Sequence, residues 1–165
     1  MINPKIEKKL NKQLNDELYS SYFYLAMSAY FENNSFEGFA NWMRVQSEEE
    51  RKHAMKIYDY IHQVGGKVKL TAIKTPKTEW SSPLEVFKDT YKHECDVTKA
   101  INDIVDVAVK EKDHATNNFM QWFISEQVEE EATAQRLLDK IKFIGIDKQG
   151  LFLLDRELGK RTSEN

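Results

Sequence analysis

From Asn3 onward apolar residues return every three or four positions, and this spacing holds over four long stretches. In the first stretch Ile6, Leu10, Leu14, Leu18 and Leu25 mark one face, predicting a helix from about Pro4 to about Glu32. Asn3 is placed as its N-cap, with Pro4 in the first turn. Asn33-Asn34-Ser35 breaks the pattern, and Ser35 can cap a second helix from about Phe36 to Val64, which Gly65-Gly66 ends. Ser82-Pro83-Leu84-Glu85 has the order of a capping box and starts a third helix that runs to about Glu111. Lys112-Asp113 is a short turn, with Asp113 capping a fourth helix that stops before Gly145. Asp147 caps a short fifth helix to about Gly159, ahead of a polar tail.

Each of the first four helices is about 28 residues, or roughly 42 Å long at 1.5 Å per residue. Helices of matched length pack side by side, so the pattern predicts an all-α four-helix bundle, about 4–144, with a short fifth helix, about 147–159, in a single domain spanning 1–165. The turns after the first and third helices are short, which makes those pairs antiparallel. Residues 65–82 have no period and include Pro76. A segment of about 18 extended residues reaches up to about 59 Å. It can travel the bundle's length and let the second and third helices run parallel, the one-crossover arrangement.

Composition narrows the class. Hydrophobic residues are 41% and charged residues 31% of 165, which suits a folded globular chain. A net charge of −3 supplies no basic footprint, so nucleic acid is not expected as a partner. The lone Cys95 rules out an internal disulfide framework and fits a reducing cytoplasm. No apolar run follows the N-terminus as a signal peptide would need, and none approaches the ~18 residues of a membrane span.

The chemistry lies in acids on the apolar faces. Positions seven or eleven apart on a helix nearly align, drifting by about 20°. Glu17 falls in line with Ile6, Leu10 and Tyr24; Glu50 with Phe39, Met43, Ile57 and Ile61; Glu94 with Phe87, Ile101 and Val105; Glu130 with Phe119, Phe123, Leu137 and Ile141. One such acid is an ordinary feature at the edge of a core. Four near mid-length, one per helix, are not, because each buried unpaired carboxylate costs several kcal/mol. Gathered together they repel until they bind protons or a cation. Shared metal ions are the economical account, and carboxylates with one imidazole suit iron or manganese rather than copper(I) or a thiolate zinc site.

His53 stands one turn after Glu50, the Glu-x-x-His spacing by which a helix offers an oxygen and a ring nitrogen to one ion. Glu50 and Glu130 can bridge two ions, with Glu17, His53 and Glu94 as terminal ligands. Gln127 faces the same way, and Glu126 lies within about 40° of Glu130. Glu49 and Glu129 sit about 100° away and flank toward a neighbouring ion, whereas Glu48 is expected to face solvent or a subunit neighbour. Tyr24 can hydrogen-bond a ligand or lend an electron, or be simply a core aromatic. Trp122 is expected as a core indole first and a redox neighbour second. His62, His93 and His114 are expected as surface or capping residues, Asp96 and Asp103 as a solvated face, and Cys95 points away from Glu94.

With these residues in place the chain resembles the bacterial non-haem ferritins over essentially its whole length. The resemblance implies a dinuclear ferroxidase centre: Glu17, Glu50 and His53 for one iron, Glu50, Glu94 and Glu130 with Gln127 nearby for the second. It also implies a third iron at Glu49, Glu126, Glu129 and Glu130, and matches Tyr24 to the family's tyrosine beside the site. Haem-binding bacterioferritins, rubrerythrins and di-iron oxygenases carry a second Glu-x-x-His on the fourth helix. Here that position reads Gln127-Val128-Glu129-Glu130, and Lys52 stands where the haem-ligating methionine would be, so no haem is expected. The implied function is oxidation of Fe(II) by dioxygen or hydrogen peroxide and storage of Fe(III) mineral in a hollow shell of 24 subunits. The apolar fifth helix, with Leu151, Phe152, Leu153, Leu154 and Leu158, is expected either to pack back on its own subunit or to meet symmetry mates around a fourfold pore, since so short a helix is marginal alone. A non-storing di-iron oxidase or peroxidase of the same superfamily is the alternative, and a metal-free helical binding protein leaves the four inward acids unexplained.

Overall fold

A computed structural model describes residues 2–163; positions 1, 164 and 165 of the expected domain lie outside the described residues. The elements are α1 (Pro4–Asn33), α2 (Glu37–Gln63), α3 (Pro83–Lys110), α4 (His114–Ile144) and α5 (Lys148–Leu158), with no strand among the described residues. No described helix is long and apolar enough to cross a membrane.

Most ends are set by local chemistry. The Asn3 side chain accepts from the Lys5 backbone N–H, Ser82 from that of Glu85, Asp113 from that of Thr116 and Asp147 from that of Gln149. Glu85 departs from a strict capping box: its carboxylate reaches the N–H and hydroxyl of Ser81 rather than the N–H of Ser82. After α2 the chain turns through Gly65 at φ +72°, the left-handed region that glycine enters without strain.

The start of α2 corrects one expectation. Ser35 lies in the turn at φ +61°, Phe36 takes the cap position, and no local side chain caps the helix. Asp155 of α5 supplies the missing acceptor, taking the Phe39 N–H at 3.0 Å. The two helices meet closely because Gly38 has no side chain: a Cβ there would lie 1.6 Å from the Asp155 carbonyl oxygen. In this way α5 is docked on its own subunit through Leu154 and Leu158, while Phe152 and Leu153 on its other side are exposed.

The buried apolar side chains form two clusters. One is aromatic and gathers the C-terminal half of α1 (Phe23, Phe31), the start of α2 (Phe39, Trp42), the start of α3 (Phe87) and the end of α4 (Leu137, Ile141). The other is largely aliphatic and gathers Ile6, Leu10 and Leu14, then Ile57 and Ile61, then Ile101 and Ile104, then Met120 and Phe123. This pairing of ends makes α1 antiparallel to α2 and α3 antiparallel to α4, with α2 and α3 parallel, so residues 64–82 must cross the length of the bundle. Asn11 holds the crossover by donating to the Lys67 carbonyl at 2.9 Å and accepting from the Lys69 N–H at 2.6 Å. Trp80 packs on Phe23 and Tyr30 at its far end. Leu25 departs from its expected stripe and is 47% exposed, because the buried line of α1 runs through Tyr24, Met27 and Phe31 instead.

Each large buried side chain in these clusters contributes about 1.5–3 kcal/mol of transfer free energy. The clusters do not touch across the middle of the bundle, where every helix changes from apolar to polar. Two substitutions test the α2–α5 junction by thermal unfolding. Asp155→Ala should cost about 1–2 kcal/mol through the lost cap. Gly38→Ala should cost roughly 1–3 kcal/mol through overpacking and free α5 to limited proteolysis.

Candidate metal centre

Between the two clusters lies a polar belt with one contribution from each long helix: Gln13 and Glu17 from α1, Gln46, Glu50 and His53 from α2, Glu94 from α3, and Gln127 and Glu130 from α4. Glu17, Glu50 and Glu94 are 1%, 3% and 2% exposed, as deeply buried as the core around them. Candidate ligand atoms of Glu17, Glu50 and His53 all lie within 4.8 Å of one another, and the same holds for Glu50, Glu94 and Glu130 and for His53, Glu126 and Glu130. Glu50 is common to the first two groups, Glu130 to the last two and His53 to the first and last, so each set adjoins both of the others.

Neutral donors hold most of the oxygens. Gln13 Nε2 donates to Glu17 Oε1 at 2.8 Å. Gln46 Nε2 donates to Glu50 Oε1 and to Glu130 Oε2, each at 2.9 Å, and so ties α2 to α4. Glu94 accepts from the Tyr24 hydroxyl and from Gln127 Nε2, the latter at 3.2 Å. Among the described residues Glu17 Oε2 is buried and meets no donor. The one ion-pair partner of these four carboxylates there is His53, with Nδ1 3.3 Å from Glu50 Oε2. Four acids thus share one imidazole.

The protonation balance follows. Burial, reinforced by the Glu50 charge, pushes Glu94 up to about 8. Burial, with Glu50 and Glu94 next, pushes Glu130 up to about 9. Burial and Glu50 also hold Glu17 well above the usual carboxylate range. Glu50 goes the other way: burial raises it, but the hydrogen bond and charge of His53 outweigh that and keep it ionised below its ordinary value. Burial lowers His53, and its hydrogen bond to Glu50 with the surrounding acids reverses this and raises it. Burial holds Tyr24 well above the ordinary phenol value, so it stays a neutral donor to Glu94. Without a cation the site is therefore filled with protons that a metal ion would displace.

Some placements differ from expectation. Glu49 is turned to Arg161, whose Nη2 lies 2.6 Å from its Oε2, and it belongs to none of the three ligand groups. Glu129 is exposed and outside them too, whereas Glu48 is exposed as expected. Glu126 does join His53 and Glu130. His93 is not a surface or capping residue. It bonds the Ser20 hydroxyl at 2.8 Å and packs among Tyr19, Phe23 and Tyr24, because α1 and α3 meet there and bring aromatic faces against the ring. Trp122 is 37% exposed rather than in the core, with its ring edge-on to His53 at 5.3 Å and Lys56 Nζ 4.2 Å over its face. His62 and His114 are exposed, Asp96 pairs with Lys92 and Lys99, and Asp103 with Lys9.

Gln13, Gln46 and Arg161 take part without having been singled out from the sequence. The two glutamines stand four residues before Glu17 and Glu50, a spacing that puts them one turn away on the same face, so helical geometry could have named them. Arg161 has no such signal, since it sits in the polar tail.

A model of the ferritin-like domain matches residues 7–144. The chain is 47% identical over 161 residues to the bacterial non-heme ferritin of Bacteroides fragilis strain 638R, spanning 98% of this chain and 100% of that protein. It is 46% identical over 162 residues to that of Staphylococcus saprophyticus, spanning 98% and 97%. Among solved structures it superposes on the open-pore ferritin of the hyperthermophilic archaeon Archaeoglobus fulgidus with a TM-score of 0.97 at 49% identity, covering 98% of this chain and 100% of that one. An engineered closed form of that ferritin gives 0.98 at 48% identity, covering 99% and 100%. By fold, extent and sequence, the chain belongs to the ferritin family, alongside the bacterial non-haem members.

Proposed function

We propose that this protein oxidises Fe(II) at the belt of carboxylates and stores the Fe(III) product as an oxyhydroxide mineral inside a shell of 24 copies, in the cytoplasm. Iron is the substrate and cargo. What supports the reading above all is the meeting of three buried acids and the half-buried Glu130, one from each of four helices, with a single imidazole, a charge arrangement that only protons or cations can balance. Ferritin relatives over nearly the full chain supply the storage half of the reading.

One Fe(II) sits at Glu17, Glu50 and His53, and a second at Glu50, Glu94 and Glu130, with Glu50 and Glu130 able to bridge. Binding displaces the protons held on Glu17, Glu94, Glu130 and His53. Two Fe(II) ions give up one electron each. Dioxygen takes both, with two protons, and leaves as hydrogen peroxide. Where peroxide is the oxidant, it takes the two electrons with two protons and becomes two molecules of water. Hydrolysis of two Fe(III) to oxyhydroxide then releases six protons. Anionic oxygen ligands hold the harder Fe(III) more tightly than Fe(II), which lowers the barrier to electron loss. Tyr24 and Gln127 orient Glu94, and Gln46 orients Glu50 and Glu130. Glu126, with His53 and Glu130 and with Glu49 and Glu129 on its flank, holds a third ion that adjusts turnover. The exposed Phe152 and Leu153 of α5, with Phe143 and Ile146 before it, are apolar surface that an assembly would cover.

Stopped-flow oxidation of added Fe(II) tests the centre. Glu50→Ala/Glu130→Ala should lose roughly 100-fold or more in initial rate, and wild-type rates in that variant would exclude the assignment. Size-exclusion chromatography tests storage: a particle of hundreds of kilodaltons is expected, and a monomer at 19.4 kDa or its dimer would favour a non-storing oxidase. The metal-free protein has its own signature. A carboxyl whose folded pKa is raised contributes stability that is full below the unfolded value near 4.5 and is lost as pH rises through the folded value, here about 8 for Glu94 and about 9 for Glu130. Glu130→Gln keeps an acceptor for Gln46 and removes the charge. Its metal-free thermal midpoint at pH 9 should exceed wild type by roughly 4 °C, the effect of about 1–2 kcal/mol at this size, and the gain should vanish at pH 5.

A further inference from the structure

The polar tail after α5 lies along α2. Asn41 Nδ2 donates to the Arg161 carbonyl at 3.0 Å, and Arg161 sends its side chain along one stripe of α2. The guanidinium stacks 4.3 Å over the Trp42 ring, and Nη1 donates to the Trp42 carbonyl at 3.3 Å. Nη2 donates to Gln46 Oε1 at 2.8 Å and to Glu49 Oε2 at 2.6 Å. Positions 42, 46 and 49 are one and two turns apart on the same helical face. The pair is sheltered, with the Arg161 and Glu49 side chains 21% and 20% exposed.

This fork acts in two directions. Toward the centre it fixes Gln46. An amide can present either end, but a guanidinium offers only donors, so Oε1 must face Arg161 and Nε2 must face Glu50 and Glu130. Toward the cleft it takes an oxygen of Glu49 that a cation beside Glu126 and Glu130 would otherwise use. That cleft, about 900 Å³, is bordered by Glu49, Glu126, Glu129, Glu130 and Arg161, so the guanidinium stands among the acids already described as flanking the dinuclear centre. Lys52 and Lys56 border it too; Arg161 contacts Gln46 and through it the two bridging carboxylates.

We propose that Arg161 is the built-in counter-cation of the outer ion site: it holds Glu49 and keeps that site weak, so a third cation binds by displacing the C-terminal strap from Glu49 and Trp42. Arg161 is a positioning residue that touches no substrate ion. The proposal rests on the carboxylate belt being a cation site, as inferred above. It makes the occupancy of the outer site depend on a segment that follows the last helix, well outside the four-helix bundle.

Calorimetric titration of the assembled protein with Zn²⁺, which has no redox chemistry, separates the parts. Two inner ions and a weaker outer one are expected for wild type. In Arg161→Gln the outer affinity should rise about tenfold, as expected for removing one sheltered competing charge, while inner affinity does not rise with it and falls to the extent that Gln46 loses its anchor. Adding Glu49→Gln should cancel the gain. With Trp80 and Trp122 replaced by Phe, Trp42 emission should change on the outer event in the parent and not in Arg161→Gln. If Arg161→Gln does not assemble, Arg161→Lys keeps the charge but loses the fork, and a gain of a few fold is expected. Intact inner binding with an unchanged outer affinity overturns the role of Arg161 alone. Absence of any inner event that Glu50→Ala removes overturns the cation-site reading and the proposal with it.

Discussion

Like charge in a low-dielectric interior is the constraint on which the rest of this structure depends. Glu17, Glu50, Glu94 and Glu130 converge between the two apolar clusters, the first three buried and Glu130 half-buried, and His53 is the sole cation that pairs with them among the described residues. A fold assembled for stability alone would place leucine or phenylalanine there. The consequences reach outward. The hydrophobic core is divided into an aromatic half and a mostly aliphatic half. Glutamines are recruited from one turn away to donate to oxygens that would otherwise be bare. The carboxyl groups of Glu94 and Glu130 hold protons at neutral pH until something displaces them.

The long crossover belongs to the same problem. Bringing two acids and an imidazole from α1 and α2 against two acids from α3 and α4 requires the two hairpins to face each other in one register. A short α2–α3 loop would force those helices antiparallel. The crossover runs them parallel and is held at one end by Asn11 and at the other by Trp80. Rigid anchoring at both ends keeps mid-bundle geometry from slipping by a turn, which would move a ligand by about 5.4 Å. The same logic applies to α5, whose Asp155 caps α2 and so steadies the helix that carries Gln46, Glu50 and His53.

Much of this was legible in the residues. Capping signals at Asn3, Ser82, Asp113 and Asp147 are local, so they placed helix starts correctly; Ser35 misled because the real cap for α2 comes from Asp155, more than a hundred residues away. Periodicity placed Glu17, Glu50, Glu94 and Glu130 on the inward faces because side-chain direction on a helix follows from 3.6 residues per turn. It was less reliable at the margins of a face. Leu25 sits outside the buried stripe, Trp122 lies half-covered beside His53, and His93 is enclosed by rings from α1. For such residues the neighbouring helix decides burial, and one helix's own period carries no information about it.

By itself, then, the sequence determined the helices, their approximate ends and the inward direction of the acids, all of which follow from backbone geometry and short-range spacing, and it allowed α2 and α3 to run parallel, which the packing of the two clusters decided. Only the tertiary structure decided which oxygens meet. It joined Gln46 to both Glu50 and Glu130, brought Glu126 into reach of His53, and left Glu17 Oε2 without a donor among the described residues. It also paired Glu49, which borders the same cleft but joins none of these ligand groups, with Arg161 from the far end of the chain. Contacts of that kind depend on how separate elements pack, and distance along the chain conceals them.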